Sequence, residues 1–317
     1  MSKLAFVFPG QGSQSVGMLE SLAGIAEAQA TLAEADAALG FALSELIASG
    51  PSEELALTVN TQPAMLAAGV AIYRVYLARG GRVPDIVAGH SLGEYTALVA
   101  AGVLGFADAL RTVRLRAQAM QRAVPAGEGA MAAILGLEAA DVEAACAQVS
   151  ACGPVVEAAN FNDPKQTVIS GSKAGVEQAC ELLKARGAKR AVLLPVSAPF
   201  HSSLMKPAAD ELREVLAGLS LQPPRIDLIN NIDVAVEADP ARIRDALYRQ
   251  AFGPVRWAQC MQKMVALGAT RVVECGPGKV LAGLARRADG QVEALAMSDA
   301  ASIDEAVAAT QREREAT

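Results

Sequence analysis

The pattern that most constrains this chain is its alternation of short, mainly apolar runs with longer stretches of helical period. Residues 4–8 form an apolar run ended by Pro9-Gly10, as expected of a buried strand that enters a tight loop. Helical patterns follow over about 20–48 and 63–79. Residues 85–88, after Pro84, make a second short apolar run that ends at Gly89, and 92–101 and 107–123 then read as helices. Later strands are expected at 226–230 and 271–274, with helices near 240–250, 256–267 and 279–287. Strand–loop–helix alternation of this kind predicts a mostly parallel sheet covered by helices, an α/β fold.

The stretch 125–195 has a different rhythm. It reads as strand 130–135, helix 139–149, strand 155–159, strand 167–170, helix 174–186 and strand 191–194. The order β-α-β-β-α-β is that of ferredoxin-like units, and Pro125-Ala126-Gly127 and Pro195 bracket it. The expected organisation is therefore a sheet-and-helix core from 1–124 and 196–317, with 125–195 as an inserted subdomain. The tail, 303–317, carries charges around a thin apolar stripe and reads as a solvated helix or a frayed end.

Composition narrows the functional classes. With 317 residues, 52% hydrophobic, the chain can bury a large core, but at 4% aromatic its packing must rest on Ala, Leu and Val. A net charge of −6 argues against a nucleic-acid grip, which needs clustered basic charge. The five cysteines (Cys146, Cys152, Cys180, Cys260, Cys275) are odd in number and lack metal-ligand spacing, so they read as reduced thiols and no metal site is expected. The apolar run behind Met1-Ser2-Lys3 is too short for a signal peptide, and no uninterrupted apolar run reaches the ~18 residues of a membrane span. The expectation is a cytoplasmic protein with no membrane contact.

The strongest local signal is Gly89-His90-Ser91-Leu92-Gly93. In a G-x-S-x-G elbow the serine sits on a sharp strand-to-helix turn, clear of the sheet, and flanking glycines let the backbone fold tightly. The serine also lies at a helix amino end, where free N–H groups favour developing negative charge. With 27 glycines in the chain the pattern by itself is weak, but here an apolar run precedes it and a helical pattern follows. A nucleophilic serine needs a base, and the chain has two histidines. His90 adjoins Ser91, so its ring should leave the elbow in another direction and serve local packing or hydrogen bonding. That leaves His201, in Ser197-Ala198-Pro199-Phe200-His201-Ser202, a turn-like stretch just after the insert. Its neutral imidazole could take the serine proton through Nε2 and later return it. No aspartate stands out as a third member.

Pro9-Gly10-Gln11-Gly12-Ser13-Gln14 follows the first strand. A dinucleotide-binding G-x-G-x-x-G fails here because Ser15 fills the sixth position. The loop reads instead as an oxyanion donor, with the N–H of Gln11 acting beside that of Leu92, the residue after the nucleophile; a plain glycine turn is the other reading. On the helix at 107–123, burying Leu110, Val113, Ala117 and Met120 puts Arg114 and Arg116 at the edges of the apolar face. Either could form a structural ion pair or grip a substrate carboxylate. Periodicity does not choose between the edges, and ion pairing is the default for both.

Together these residues resemble the malonyl-CoA:acyl-carrier-protein transacylases of type II fatty acid synthesis and the acyltransferase domains of polyketide synthases. The landmarks run in order through nearly the whole chain. They are Phe8-Pro9-Gly10-Gln11-Gly12-Ser13-Gln14, Gly89-His90-Ser91-Leu92-Gly93-Glu94, Leu115-Arg116, Asn160-Phe161-Asn162, Phe200-His201-Ser202, Arg249-Gln250 and Glu274-Cys275-Gly276-Pro277-Gly278. The resemblance implies an α/β-hydrolase-like core carrying the ferredoxin-like insert, with the active site in the cleft between them. It selects Arg116 over Arg114 as the clamp for a malonyl carboxylate. It places Gln11 and Leu92 at the oxyanion hole, Gln250 beside His201, where a main-chain carbonyl takes the place of a triad acid, and Asn160 near the acyl or CoA site. Phe200 resembles the malonyl rather than the methylmalonyl version of its motif. A ring there would crowd an α-methyl branch, a preference of about 1–3 kcal/mol.

The expected reaction is transfer of malonyl from malonyl-CoA to the phosphopantetheine thiol of acyl carrier protein, by a ping-pong route through a Ser91 ester, with no cofactor. A serine esterase or thioesterase with the same Ser–His pair is the main rival; a nucleotide-binding oxidoreductase and a non-catalytic scaffold are weaker ones. For docking an acidic carrier, the most concentrated basic stretch is Lys184, Arg186, Lys189 and Arg190, with Arg286-Arg287 a second; such runs are also common as plain solvated faces.

Overall fold

The computed structural model of the chain describes residues 2–288 and 292–315. From the amino end the elements are β1 (Lys3–Phe8), α1 (Ala26–Leu39), α2 (Leu43–Ser49), α3 (Ser52–Ala56), α4 (Thr58–Ala78), β2 (Ile86–Gly89), α5 (Gly93–Ala100) and α6 (Phe106–Ala123). Then come β3 (Gly129–Leu135), α7 (Ala139–Ser150), β4 (Val156–Asp163), β5 (Gln166–Ser172), α8 (Lys173–Ala185) and β6 (Arg190–Leu193). The chain continues with α9 (Lys206–Ala217), β7 (Asp227–Ile229), α10 (Pro240–Gln250), α11 (Trp257–Ala266), β8 (Ala269–Cys275), α12 (Val280–Ala288), β9 (Glu293–Met297) and α13 (Ala300–Glu315).

The apolar run of β1 is explained by its place. It is the middle strand of a parallel sheet ordered β7-β2-β1-β8-β9, so neighbours and helices enclose it on every side. Its side chains alternate between faces. Leu4, Phe6 and Phe8 join the core under α4, with the Phe6 ring 5.1 Å from that of Tyr76; the small Ala5 and Val7 face Trp257 and the α11–α12 layer. Phe8 pairs with Gly89, so β1 and β2 end side by side and release the loops at Gly10 and Ser91 from adjacent points.

Residues 129–193 form a second sheet, antiparallel, in the order β4-β5-β3-β6. This is the ferredoxin-like arrangement. One face packs on α7 and α8 through Ile134, Ile169, Val142, Val176 and Leu183; the other contributes Met131 and Val168 to the main core. β4 is tied to the first unit by the paired bonds Val255 N to Ala159 O, 2.8 Å, and Phe161 N to Val255 O, 2.9 Å. The expected α/β class, parallel sheet plus separate antiparallel sheet, is what the chain folds into.

Several elements depart from the expectations. The helix expected over 20–48 is broken into α1 and α2, because Gly40 adopts φ 72° and ends α1 there. The helix expected from 63 starts at Thr58, and Pro63, its sixth residue, lies inside it, where it removes the N–H that would ordinarily donate to the Val59 carbonyl. Helix α9 and edge strand β9 carry no expectation at all. Pro207 in the first turn and the spacing of Ala208, Ala209, Leu212 and Leu216 mark α9 in retrospect. β9, Glu-Ala-Leu-Ala-Met, has little strand propensity and exists by pairing with β8. The tail is docked through Ile303, Ala306, Val307 and Thr310, all buried, rather than frayed; residues 316 and 317 lie outside the described residues.

Candidate active site

The turn after β2 is built by close approach. A Cβ on Gly93 would stand 2.0 Å from the carbonyl oxygen of Phe8, and one on Gly10 would stand 2.7 Å from the carbonyl oxygen of His90. Only glycine allows the start of α5 to press so tightly on the end of β1. Ser91 is forced into φ 52°, a left-handed conformation that non-glycine residues rarely adopt. Its backbone is clamped from both sides. Asn231 Oδ1 accepts from the Ser91 N–H at 2.8 Å, and Gln250 Nε2 donates to the Ser91 carbonyl at 3.0 Å.

His201 enters from the segment that leaves β6, also at positive φ, 61°. Its Nε2 lies 2.6 Å from Ser91 Oγ. On the far side of the ring, Nδ1 faces two main-chain carbonyls, Gln250 O at 2.9 Å and Gly253 O at 3.2 Å. Carbonyls only accept, so Nδ1 carries the proton and Nε2 turns its lone pair to the serine. A carbonyl pair thus does the orienting that a carboxylate does in a Ser–His–Asp triad. Burial and the nearby Arg116 cation push the imidazole down to about 3; it is therefore a neutral base at any ordinary pH.

Arg116 is 2% exposed. It donates Nη1 to Gln62 Oε1 (2.8 Å) and Nη2 to both Gln250 Oε1 (3.2 Å) and Ser91 Oγ (3.3 Å), and its Nε has no partner among the described residues. Arg114 donates to the Leu39 carbonyl at 3.0 Å and lies over the Phe41 ring. Among the described residues neither forms the ion pair that sequence position suggested as the default: Arg114 reaches a carbonyl first, and Arg116 is sealed among amides. A cation buried without a bound anion is costly, and it is aimed at the nucleophile.

Gln11, His90, Ser91, Arg116, Met131, Asn160, Leu194, Val196, Phe200 and His201 surround a pocket of about 130 Å³. Its walls come from both sheets. Among the described residues the N–H groups of Gln11 and Leu92 carry no internal hydrogen bond. His90 turns away from the serine: its Nε2 meets Asn162 Oδ1 at 2.8 Å and its ring lies 5.4 Å from that of Trp257. Asn160 and Phe200 are buried in the wall, 7% and 8% exposed. Such a constellation suits acyl transfer: a serine, a neutral base, free donors for an oxyanion and a cation for an acidic acyl tail.

Comparison with known proteins agrees with this geometry. A family model described as "Acyl transferase domain" matches residues 5–314. The chain belongs to the acyl transferase domain family. Among similar members, the malonyl CoA-acyl carrier protein transacylase of Salmonella typhimurium is 51% identical over 97% of this chain and 99% of its own length. The crystal structure of the acyl-carrier-protein S-malonyltransferase from Burkholderia pseudomallei superposes with a TM-score of 0.95 at 62% identity, covering 96% of this chain and 99% of that one. A malonyl-transacylase solved in complex with a type II polyketide synthase acyl-carrier protein gives 0.95 at 48% identity, over 97% and 100%.

Within this acyl transferase, four residues at the site went unassigned from sequence. Asn231 bridges the Ser91 N–H and the Gly89 carbonyl (Nδ2, 2.7 Å), Gln62 holds Arg116, Gly253 supplies the second carbonyl to His201, and Glu94 accepts from the Gln250 side chain and the Asn231 backbone N–H. Only Glu94 carried a signal, as the last residue of the Ser91 motif; the others are brought in by the fold. The basic residues Lys184, Arg186, Lys189 and Arg190 are exposed at the end of α8 and start of β6. Arg287 is paired with Asp163 at 3.2 Å, and Arg286 donates to the Ala294 carbonyl. No helix among the described residues is long and apolar enough to cross a membrane.

Proposed function

We propose that this acyltransferase moves a malonyl group from malonyl-CoA to the phosphopantetheine thiol of acyl carrier protein through an ester on Ser91. The observation that carries the reading is Arg116: a buried guanidinium with only neutral partners, 3.3 Å from the nucleophile. The names borne by the similar transacylases give the same acyl group and the same acceptor.

In the first half-reaction His201 Nε2 takes the Ser91 proton as Oγ attacks the thioester carbonyl. The N–H groups of Gln11 and Leu92 receive the oxyanion, and Arg116 pairs with the malonyl carboxylate. The C–S bond breaks, the leaving sulfur takes the proton from His201, and CoA departs as a thiol. In the second half the carrier thiol gives its proton to His201 and attacks the ester. The C–O bond breaks and the proton returns to Ser91. Protons and electrons balance without a cofactor or metal. Gln250, through its carbonyl, holds the base in the needed tautomer. Asn160, Phe200 and His90 shape the acyl pocket, and the Phe200 ring disfavours an α-methyl branch. The exposed residues Lys184, Arg186, Lys189 and Arg190 are the docking surface for the acidic carrier. Free cysteines support a cytoplasmic setting.

Intact mass spectrometry after incubation with malonyl-CoA tests this reading. A single malonyl adduct should map to Ser91, vanish in Ser91→Ala, and pass to added carrier. Release of free malonate in place of malonyl-carrier would make the protein a thioesterase.

A further inference from the structure

Glu94 lies in the first turn of α5, three residues past the nucleophile, and is 2% exposed. A carboxylate and a guanidinium buried in one site would ordinarily close into a two-pronged ion pair. Here they do not. Glu94 Oε2 accepts from two neutral donors, Gln250 Nε2 at 2.9 Å and the Asn231 N–H at 3.0 Å. Gln250 stands between the charges, because its other terminal atom, Oε1, accepts from Arg116 Nη2 at 3.2 Å.

A carboxylate can only accept, so it dictates which way the Gln250 amide points. The NH₂ must face Glu94, and the oxygen must therefore face Arg116. The same NH₂ reaches the Ser91 carbonyl, while Asn231 ties the Ser91 N–H to the Gly89 carbonyl. One buried acid thus anchors Gln250 through its side-chain amide and Asn231 through its backbone N–H, the two residues that hold the serine in its left-handed turn.

We infer that Glu94 is a positioning residue: it supplies the negative charge that balances Arg116, and the intervening Gln250 keeps the two apart so that the guanidinium stays open to a substrate carboxylate. This rests on the clamp role proposed for Arg116. A glutamine at position 94 could mimic the hydrogen bonds but not the charge. It could also present either terminal atom, which frees the Gln250 amide to turn its NH₂ toward the cation.

The test compares Glu94→Gln, Gln250→Leu, the double variant and Arg116→Ala in the full-length protein. Acylation by malonyl-CoA and by acetyl-CoA is followed for each, with thermal melting as a control on folding. The assay runs at pH 8, since burial pushes the Glu94 carboxyl up to about 7. Glu94→Gln should raise KM for malonyl-CoA roughly tenfold to a hundredfold, the size of coupling within one buried network. Acetyl transfer should fall much less, because a glutamine still accepts from the Asn231 N–H. Gln250→Leu should shift the malonyl-to-acetyl ratio in the same direction, and the double variant should lose no more than the worse single. Equal loss of both acyl groups in Glu94→Gln, an unchanged ratio, or multiplying losses in the double variant would overturn the inference. If Glu94→Gln does not fold, an unchanged ratio in Gln250→Leu overturns it alone. A ratio that collapses in Arg116→Ala but holds in Glu94→Gln removes only the role of Glu94; a ratio untouched in Arg116→Ala removes the clamp itself.

Discussion

Replacing Arg116 with alanine should separate malonyl from acetyl transfer by orders of magnitude. In the free protein the guanidinium is 2% exposed; among the described residues it donates only to the oxygens of Gln62, Gln250 and Ser91, and it lies over the Tyr95 ring. A malonyl carboxylate entering the pocket exchanges those neutral acceptors for an opposite charge in a nearly dry site. Hydrogen bonds to charged groups contribute about 1.5–3 kcal/mol each, and losing one partner of a buried charge pair costs about 3–5 kcal/mol. At 1.4 kcal/mol per factor of ten, malonyl kcat/KM should drop roughly a hundredfold to a few thousandfold. Acetyl has no carboxylate to lose, so its transfer should change by no more than about tenfold, the residue of a disturbed Gln250. Arg116→Lys should fall between, since it keeps the charge and loses the fork. Single-turnover acylation of Ser91 by each thioester, read by intact mass, measures the two rates on the same protein. Thermal melting guards against partial unfolding, because Gln62 and Gln250 are left with unpaired buried oxygens at a cost of about 1–3 kcal/mol. Equal losses for the two acyl groups would refute the argument, since a cation that only stabilises the fold cannot tell them apart.

Two further outcomes follow from the same geometry. Acylation needs neutral His201, and burial, with Arg116, holds its imidazole down to about 3; protonation, and so loss of the base, sets in only as pH falls toward that value. The pH profile of kcat/KM for acetyl-CoA, whose acyl group bears no carboxylate, should lack the acid limb near 6.5 of an ordinary histidine; a limb between 6 and 7 that disappears in no other variant of the site would contradict the assignment. Reversing the exposed charges at Lys184, Arg186, Lys189 and Arg190 should raise the carrier's KM, more so at low salt, and leave acylation by malonyl-CoA unchanged; an unaltered carrier KM would move the docking surface elsewhere.

Much of this was legible in the residues themselves. Strands buried on both faces must be apolar throughout, which is why 4–8 and, past Asp85, 86–88 could be read directly, and the β-α-β-β-α-β order of the second sheet follows from periodicities of two and 3.6. The glycines around Ser91 signal the elbow because a Cβ on Gly89 would stand 1.8 Å from the carbonyl carbon of Gly93 and one on Gly93 would stand 2.0 Å from the Phe8 carbonyl oxygen. Having only two histidines made His201 the base by elimination. Elements whose stability comes from partners were missed: β9 has weak intrinsic preference, and the docking of α13 depends on a surface that no local pattern reports.

What the sequence determined, then, is what short-range physics encodes: which segments are strands and helices, where the chain must turn sharply, and which side chains have the chemistry to act. Tertiary structure alone decided how that chemistry is wired. Residues 62, 231 and 253 are scattered along the chain, and their amides and carbonyls carry no positional signature, since every residue has a backbone carbonyl and any Asn or Gln can both accept and donate. Only packing brings the Gln250 carbonyl to His201, its side chain to Arg116 and the Asn231 amide to Ser91, and only packing keeps a buried acid from closing on the cation beside it.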